Sequence, residues 1–191
     1  MTLTDTPEQW PVVSSTEELN DWLITVRADE VRMPGQQIAK RLVVTHPGAV
    51  AILALDDADR VLMIRQYRHP VGGLLWELPA GLLDQEGESL LAAAQRELRE
   101  ETGYAAAEWH SLLDYYSSPG FSTERIRVFL ARGMTELTDR GYEPTDEEAT
   151  IVLRWVPMRE AVDAVLSGDI HNGVAATGIL AAAAGLRPRP R

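Results

Sequence analysis

Residues 94–104 form the sequence AQRELREETGY, in which Glu97, Glu100 and Glu101 recur at the spacing of one helix turn. On a helix that turns 100° per residue, the three carboxylates border the apolar stripe that contains Leu98, and two arginines lie on the far side. Like charges three and four residues apart destabilise a helix by about 0.3 kcal/mol per pair. The sequence therefore places repelling charges beside a buried face.

Two interpretations account for this helix. The first is an arginine- and glutamate-rich surface helix that contacts only solvent. The second is a site for a hard cation, because carboxylate oxygens that converge from positions i, i+3 and i+4 suit Mg²⁺ or Mn²⁺. A bound cation neutralises the repulsion between the carboxylates. The placement beside the apolar stripe favours the second interpretation, and the residues around the helix decide between them.

The composition limits the class of protein. The chain has 191 residues, 45% of them hydrophobic and 25% charged, as expected of one globular domain with at most a small appendage. The net charge of −11 argues against nucleic acid as a partner. The absence of cysteine excludes disulfides and thiolate sites, and the four histidines lack zinc-ligand spacing. We expect no signal peptide, no membrane span and a cytoplasmic location.

The order of apolar patterns predicts the organisation of the chain. The first fifteen or so residues are expected to be poorly ordered until packed, and two alternating segments around Pro34-Gly35 predict a hairpin. A second pair of strands is predicted around the turn at 56–59, and a helix from about Glu88 to Thr102 that ends at Gly103. Further strands precede two C-terminal helices. This order predicts an α+β fold or a mixed-sheet α/β sandwich.

The sequence around the helix resembles the Nudix box. That motif has a glycine, a glutamate several residues later, and then Arg-Glu-apolar-x-Glu-Glu-x-Gly-apolar. The matching positions here are Gly81, Glu88, Arg96, Glu97, Leu98, Glu100, Glu101, Gly103 and Tyr104. The box usually has five residues between the glycine and the first glutamate, whereas this chain has six, 82–87. We expect the extra residue to bulge in the loop without changing the helix.

The resemblance implies an α/β/α sandwich and metal-dependent hydrolysis of a nucleoside diphosphate linked to another group. It implies Mg²⁺, with Mn²⁺ as the alternative, held mainly by Glu97 and Glu101 with help from Glu100 and the backbone carbonyl of Ala80. Four box positions would orient the loop and the helix instead of doing chemistry. They are Gly81, Glu88, Arg96 and Gly103.

Two further stretches are similar to the ADP-ribose pyrophosphatase branch of the Nudix family. They are QYRHPVGGLLWELPAGLLD, ahead of the helix, and SSPGFSTE, whose Pro119 follows Gly103 by sixteen residues. This branch implies cleavage of ADP-ribose to AMP and ribose 5-phosphate. Another nucleoside diphosphate sugar, such as ADP-glucose or GDP-mannose, is the alternative substrate. A domain that binds ADP-ribose without cleaving it is the alternative of another class.

The same branch implies the residues that contact the substrate. Arg68, at the end of a strand, would meet the diphosphate, whereas Arg65 lies on the opposite face of that strand. Glu124 would approach the metal-bound diphosphate or the terminal ribose. Three residues of the preceding loop would shape the same wall: Ser118, Gly120 and Phe121.

A general base is expected from the acidic loop EPTDEEATIVLRW, ahead of a late strand. Glu148 is the first choice, but the sequence does not separate it from Glu147 or Asp146. A carboxylate base deprotonates a water that the cations have already acidified. The alternative interpretation of this acidic run is a solvated loop.

Three segments divide the chain by expected role. The resemblance to the ADP-ribose pyrophosphatase branch implies that residues 1–47 form a β-hairpin region, a small swapped sheet that builds a homodimer and holds the adenine. Trp22 is one stacking candidate, and packing is the alternative role for it and the other four tryptophans. Residues 48–186 would form the catalytic domain. Residues 187–191 would be a disordered basic tail.

Overall fold

A computed structural model describes residues 3–139, 141 and 150–185, which divide into two compact units. The first unit extends to Pro47 and also contains Ser118–Glu124. The second contains Gly48–Ser117 and the chain from Arg125 onward. The predicted tail at 187–191 lies outside the described residues.

The first unit contains an antiparallel sheet of three strands. They are β1 (Val12–Asn20), β2 (Thr25–Arg32) and β3 (Ile38–Thr45) in that order. The hairpin predicted around Pro34-Gly35 is therefore confirmed as the β2–β3 connection. The first fifteen residues are expected to be poorly ordered until packed, and from Val12 onward the chain is a strand paired with β2. Every residue of β1 is exposed, so its sequence lacks the alternation that marks a half-buried strand.

The segment Ser118–Glu124 is hydrogen-bonded to the end of β3. The backbone N–H of Val44 donates to the carbonyl of Phe121 at 2.7 Å, and the N–H of Thr123 donates to the carbonyl of Val44 at 3.0 Å. The N–H of His46 donates to Oγ1 of Thr123 at 3.0 Å. These bonds make the loop part of the N-terminal unit although the chain enters and leaves it from the second unit.

Two further sheets and three helices make up the described part of the second unit. Its strands are β4 (Ala49–Ala54), β5 (Arg60–Arg68), β6 (Gly73–Glu77), β7 (Ala80–Leu82), β8 (Tyr104–Tyr116), β9 (Arg125–Glu136) and β10 (Val152–Pro157). Its helices are α1 (Leu90–Thr102), α2 (Met158–Ser167) and α3 (Gly173–Ala183). A mixed sheet has the order β7-β4-β9-β8, in which only β4 and β9 are parallel, and an antiparallel sheet has the order β10-β5-β6.

The strands on either side of the turn at 56–59 belong to different sheets. The strand β4 joins the mixed sheet and β5 joins the antiparallel sheet. A single bridge between Leu55 and Val61 links the two strands directly. The two predicted strands are thus present, but the turn connects one sheet to the other instead of joining neighbouring strands of one sheet.

The helices cover both faces of the sheets. From β4, Val50 and Ile52 pack with Leu98 of α1 on one side. The alternate residue Leu53 packs with Ile179 of α3 on the other side, together with residues of α2. The prediction of a mixed-sheet α/β sandwich is confirmed. In the described part of the chain, no helix is both long enough and apolar enough to span a membrane.

Candidate active site

The helix α1 carries the three glutamates and begins and ends at well-formed caps. The Ser89 hydroxyl accepts a hydrogen bond from the Ala92 N–H at 3.2 Å, and Gly103 ends the helix with φ of 73°. The helix starts two residues later than predicted and ends where predicted. Leu98 is fully buried against the sheet. Glu97 and Glu101 therefore lie at the edge of the buried face of α1.

Glu97 fills the space beside Gly81 in β7. A β-carbon on Gly81 would overlap the Glu97 carboxyl group, so a larger residue at this position would displace that side chain. The Glu97 side chain is 14% exposed. The glycine of the box therefore leaves room for the close approach of a carboxylate to the backbone.

Glu101 is attached to the neighbouring residue of the same strand. Its Oε2 accepts a hydrogen bond from the Ala80 N–H at 2.9 Å, and the residue is 8% exposed. Ala80 pairs with Ala51 of β4, and its strand β7 is an edge strand of the mixed sheet. The strand that precedes the loop and the second half of α1 thus meet through two carboxylates, Glu97 and Glu101.

Arg96 joins the loop to the helix through three carboxylates. Its Nε and Nη2 donate to the two oxygens of Glu88, both at 3.0 Å. Its Nη1 donates to Glu97 at 2.5 Å and to Glu100 at 3.2 Å. Because the guanidinium is planar, the bidentate contact fixes both its position and its orientation. The contacts support the orienting role that the sequence assigns to Glu88 and Arg96.

The loop makes a tight turn just before Glu88. The Glu88 N–H donates to the Gln85 carbonyl at 3.2 Å, and Gly87 between them has φ of +79°, a conformation that favours glycine. Glu88 still reaches Arg96 after this turn. The six-residue spacing is thus compatible with the Glu88–Arg96 contact, and the bulge itself stays a prediction.

The environment separates the acidities of these carboxyl groups. Hydrogen bonds from Arg96 lower the pKa of Glu88, and the same contacts raise the pKa of Arg96. Burial raises the pKa of Glu97 despite the neighbouring Arg96, and the charges of Glu100 and Asp84 add to that increase. Glu97 is thus a carboxylate whose burial outweighs the favourable charge of Arg96.

The donor chemistry of α1 fits a hard divalent cation. Three carboxylates on one helix edge, one of them disfavoured as an anion by its surroundings, are groups that a cation stabilises. Among the described residues, however, no three carboxylates or histidines already converge on one point. Glu97 and Glu100 are turned to Arg96, and Glu101 is turned to Ala80. Assignment of Ala80, Glu97, Glu100 and Glu101 as ligands therefore stays a prediction.

Arg68 is paired with a carboxylate that the sequence analysis did not assign. Its Nε donates to Oε1 of Glu77 at 2.9 Å, and its Nη2 donates to Oε2 at 2.7 Å. Glu77 is 3% exposed and also accepts a hydrogen bond from Gln66 at 3.5 Å. The predicted position of Arg65 on the opposite face is confirmed, since its guanidinium lies over the Trp76 ring. The only sign of this pairing in the sequence is that the short strand β6 ends in an acidic residue, Glu77.

The other predicted substrate residues belong to the N-terminal unit. The distance from Oε1 of Glu124 to Nε2 of His46 is 3.7 Å. The carbonyl of Ser118 accepts hydrogen bonds from the N–H groups of Phe121 and Ser122. Phe121 is 57% exposed, so it is not part of a core, and Gly120 has open space beside its α-carbon. The structure groups these four residues with β3 and places Arg68 and α1 in the other unit.

The predicted bases lie outside the described residues. Asp146, Glu147 and Glu148 belong to the stretch 142–149, which ends just before β10. Their assignment stays a prediction.

A second charged cluster lies on the α1 side of the mixed sheet. Arg127 of β9 donates to Ser111 and Asp114 of β8, both at 3.1 Å, and Arg125 also contacts Asp114. Burial acts to raise the pKa of Asp114, but hydrogen bonds from Arg125 and Arg127 outweigh it and hold that pKa below its usual range. This cluster stabilises the edge of the sheet.

Comparison with known proteins identifies the family and the fold. The NUDIX domain family matches residues 45–174. An ADP-ribose pyrophosphatase of Mycobacterium tuberculosis is 49% identical over 168 residues, 87% of this chain and 80% of the relative. An ADP-ribose pyrophosphatase of Bacillus subtilis is 35% identical over 82% of this chain and 83% of its own length. A crystal structure of an ADP compounds hydrolase has the same fold, with a TM-score of 0.78 and 19% identity over 96% of this chain and 97% of the other.

The sandwich and its carboxylate-bearing helix thus define a Nudix hydrolase fold. This chain belongs to the Nudix family. The resemblance stated from the box and its flanking stretches is confirmed.

Proposed function

We propose that this protein hydrolyses the diphosphate of ADP-ribose. Water adds to one phosphorus, one phosphoanhydride P–O bond breaks, and the products are AMP and ribose 5-phosphate. The choice of substrate is supported by two relatives that carry the name ADP-ribose pyrophosphatase, one of them 49% identical over 87% of this chain.

The observation that best supports this class of reaction is the close approach of the Glu97 carboxyl group to Gly81, next to the hydrogen bond between Glu101 and Ala80. It places two carboxylates at one strand of the sheet. These residues, with Glu100 and the carbonyl of Ala80, would hold Mg²⁺, or Mn²⁺ in its place. When bound, the cation neutralises the diphosphate charge and acidifies the attacking water.

The protein's own side chains supply the remaining steps. Arg68 binds the diphosphate, and Glu148 or Glu147 takes the proton from the water. Glu124 orients the diphosphate or the terminal ribose, and Ser118, Gly120 and Phe121 form the wall beside it. The leaving phosphate needs no proton at neutral pH, so one base is sufficient for the reaction.

A hydrolysis panel with Mg²⁺ tests the substrate. ADP-ribose, ADP-glucose, GDP-mannose, NADH and a dinucleoside polyphosphate are compared by kcat/KM, and ADP-ribose is expected to rank first. A higher kcat/KM for ADP-glucose or GDP-mannose would reassign the substrate within the family. Tight binding of ADP-ribose in calorimetry without any turnover would indicate the non-catalytic binding domain instead.

We also propose that the N-terminal unit builds a homodimer and contributes to adenine binding. Its three-stranded sheet exposes large apolar side chains, which favours burial against a second copy of the chain. The exposed residues are Val12, Val13, Leu19, Ile38 and Leu42. Trp22 is 79% exposed and has the aromatic ring that stacking on adenine requires. A cytoplasmic location stays a prediction from the sequence.

A further inference from the structure

The pairing of Arg68 with Glu77 spans the length of the β5–β6 ladder. In its register Arg68 lies opposite Gly73, whereas Glu77 lies opposite Ile64, four residues earlier in β5. The Arg68 guanidinium nevertheless makes two hydrogen bonds to Glu77, at 2.9 and 2.7 Å. The arginine side chain therefore runs back along the sheet, past Gln66, instead of extending from the end of its own strand.

This course keeps the guanidinium on the face of β5 that also carries Leu62. Side chains of β5 alternate between faces, and Leu62, on the same face as Arg68, packs in the cluster that contains α1. Glu77 precedes Ala80 by three residues, so their α-carbons are at most about 11 Å apart. Ala80 is the residue whose N–H binds Glu101. The pairing thus attaches Arg68 to a residue three positions before Ala80, and not to the turn between β5 and β6.

The burial of the two partners is unequal. The Glu77 side chain is 4% exposed, and the Arg68 side chain is 44% exposed. A buried carboxylate needs a fixed cationic partner, and two bonds from one edge of a planar guanidinium fix both its position and its plane. One edge of the Arg68 guanidinium is therefore held by the protein interior while the side chain still reaches the surface.

We propose that Glu77 is a positioning residue, which orients Arg68 for contact with the substrate diphosphate. The proposal rests on the proposed function, since it assumes that Arg68 meets a diphosphate. Because Glu77 cancels the charge of Arg68, the pair does not help binding through net charge. Its advantage is orientation, since a planar donor group that is already ordered loses less conformational freedom when it binds phosphate oxygens. A purely structural pair would stabilise the hairpin and leave recognition of the diphosphate unchanged.

A double-mutant cycle separates the two roles. Glu77→Gln and Arg68→Lys are each expected to lower kcat/KM for ADP-ribose by about ten- to a hundredfold, since each removes an oriented charge-assisted contact. When Arg68→Lys is added to Glu77→Gln, kcat/KM is expected to fall by less than about threefold further, because the orientation is already lost. Equal effects of Arg68→Lys in both backgrounds, or a Glu77→Gln variant with unchanged kcat/KM, would overturn the proposal.

Two further variants control for folding and charge. Glu77→Asp keeps the charge but is one methylene shorter, so it is expected to lower kcat/KM as Glu77→Gln does, with a smaller loss of thermal stability. Glu160→Gln removes the carboxylate from the exposed Arg154–Glu160 pair, whose atoms are 2.7 Å apart, and is expected to keep the parent kcat/KM. A Glu77→Asp variant with parent kinetics would also overturn the proposal.

The outcome is independent of the substrate assignment. If the native chain prefers another nucleoside diphosphate sugar, the proposed substrate is wrong and the cycle is measured on that compound. If the native chain only binds ADP-ribose, the cycle is measured as affinities by calorimetry. In each case coupling between positions 68 and 77 supports the positioning role, and its absence refutes it.

Discussion

The carboxyl group of Glu97 occupies the space beside Gly81 where any other residue would carry a β-carbon. Gly81 does not have a positive φ, so its backbone conformation is open to other residues. The preference for glycine is therefore steric, because a β-carbon would displace the side chain of a residue sixteen positions later in the chain. This contact sets the distance between the strand before the loop and the helix after it.

Replacement of Gly81 by alanine is expected to displace Glu97 and lower kcat/KM by about a hundredfold, since small shifts of a catalytic group have effects of that order. Steady-state hydrolysis with saturating Mg²⁺ measures the loss. Gly173→Ala, at the first residue of α3 where a β-carbon meets open space, is the matched control and is expected to keep parent activity. Parent kinetics in Gly81→Ala would contradict the seating of Glu97.

Glu101→Gln tests the proposed cation ligands. The amide oxygen still accepts the hydrogen bond from Ala80, so the fold is expected to persist, while turnover falls at least about a hundredfold through loss of the charge. Turnover, circular dichroism and Mg²⁺ affinity by calorimetry are measured together. Glu100→Gln is expected to show a smaller loss, in keeping with an assisting role. A Glu101→Gln variant that turns over at the parent rate would exclude Glu101 as a principal ligand.

Single replacements of Glu147 and Glu148 by glutamine identify the base. The residue that takes the proton is expected to lose a hundredfold or more in kcat, because general-base catalysis contributes about 10² to 10⁴. The pH profile of kcat/KM in that variant should also lose its acidic limb. Two variants with full activity would rule out both residues and leave Asp146 to be tested.

Asp114 predicts an acid-dependent contribution to stability. Its pKa is lowered in the folded state by Arg125 and Arg127, so its contribution is complete above the ordinary aspartate value near 3.9 and is lost as the pH falls through the lower folded value. At pH 7, Asp114→Asn is expected to reduce the free energy of unfolding by about 1 kcal/mol, as for a partly exposed pair. Urea unfolding from pH 7 to pH 3 should show this difference shrinking below pH ~4. Asp163→Asn, an exposed aspartate of α2, controls for the change in charge. A difference that does not vary with pH would argue against the pair.

Light scattering tests the proposed homodimer. The native chain, of 21.1 kDa, is expected to scatter as two copies at micromolar concentration. Leu42→Glu on the exposed sheet of the N-terminal unit is expected to produce monomers, because a charge on a buried apolar face is unfavourable. Leu166→Glu, at an exposed leucine of α2, is expected to remain dimeric. A native chain that is monomeric would exclude the sheet as a dimer interface.

The predictable parts of this molecule are those determined by local sequence. The helix α1 follows from its apolar stripe, and its end follows from Gly103, because periodicity and caps involve residues within a few positions of each other. The spacing of the box then brings Gly81 and Glu97 into the same site without knowledge of the sheet.

The features that sequence reasoning missed depend on distant pairing. The strand β1 has no alternating pattern because all of its residues are exposed. The partner of β4 in the parallel pair is β9, more than seventy residues later, so no local signal shows that β4 and β5 enter different sheets. The pairing of Glu77 with Arg68 requires both the register of β5 and β6 and the direction of a long side chain.

The bonds between β3 and Ser118–Glu124 have a consequence for dissecting this protein. A chain that begins at Gly48 would keep every strand of the two Nudix sheets, yet it would remove the backbone partner of Phe121 and Thr123. A loop deprived of those bonds would have to find new ones or face water. Pro47 is thus a poor place to cut the chain, because Ser118–Glu124 belongs to the unit that would be removed, and we expect an active fragment to include β3.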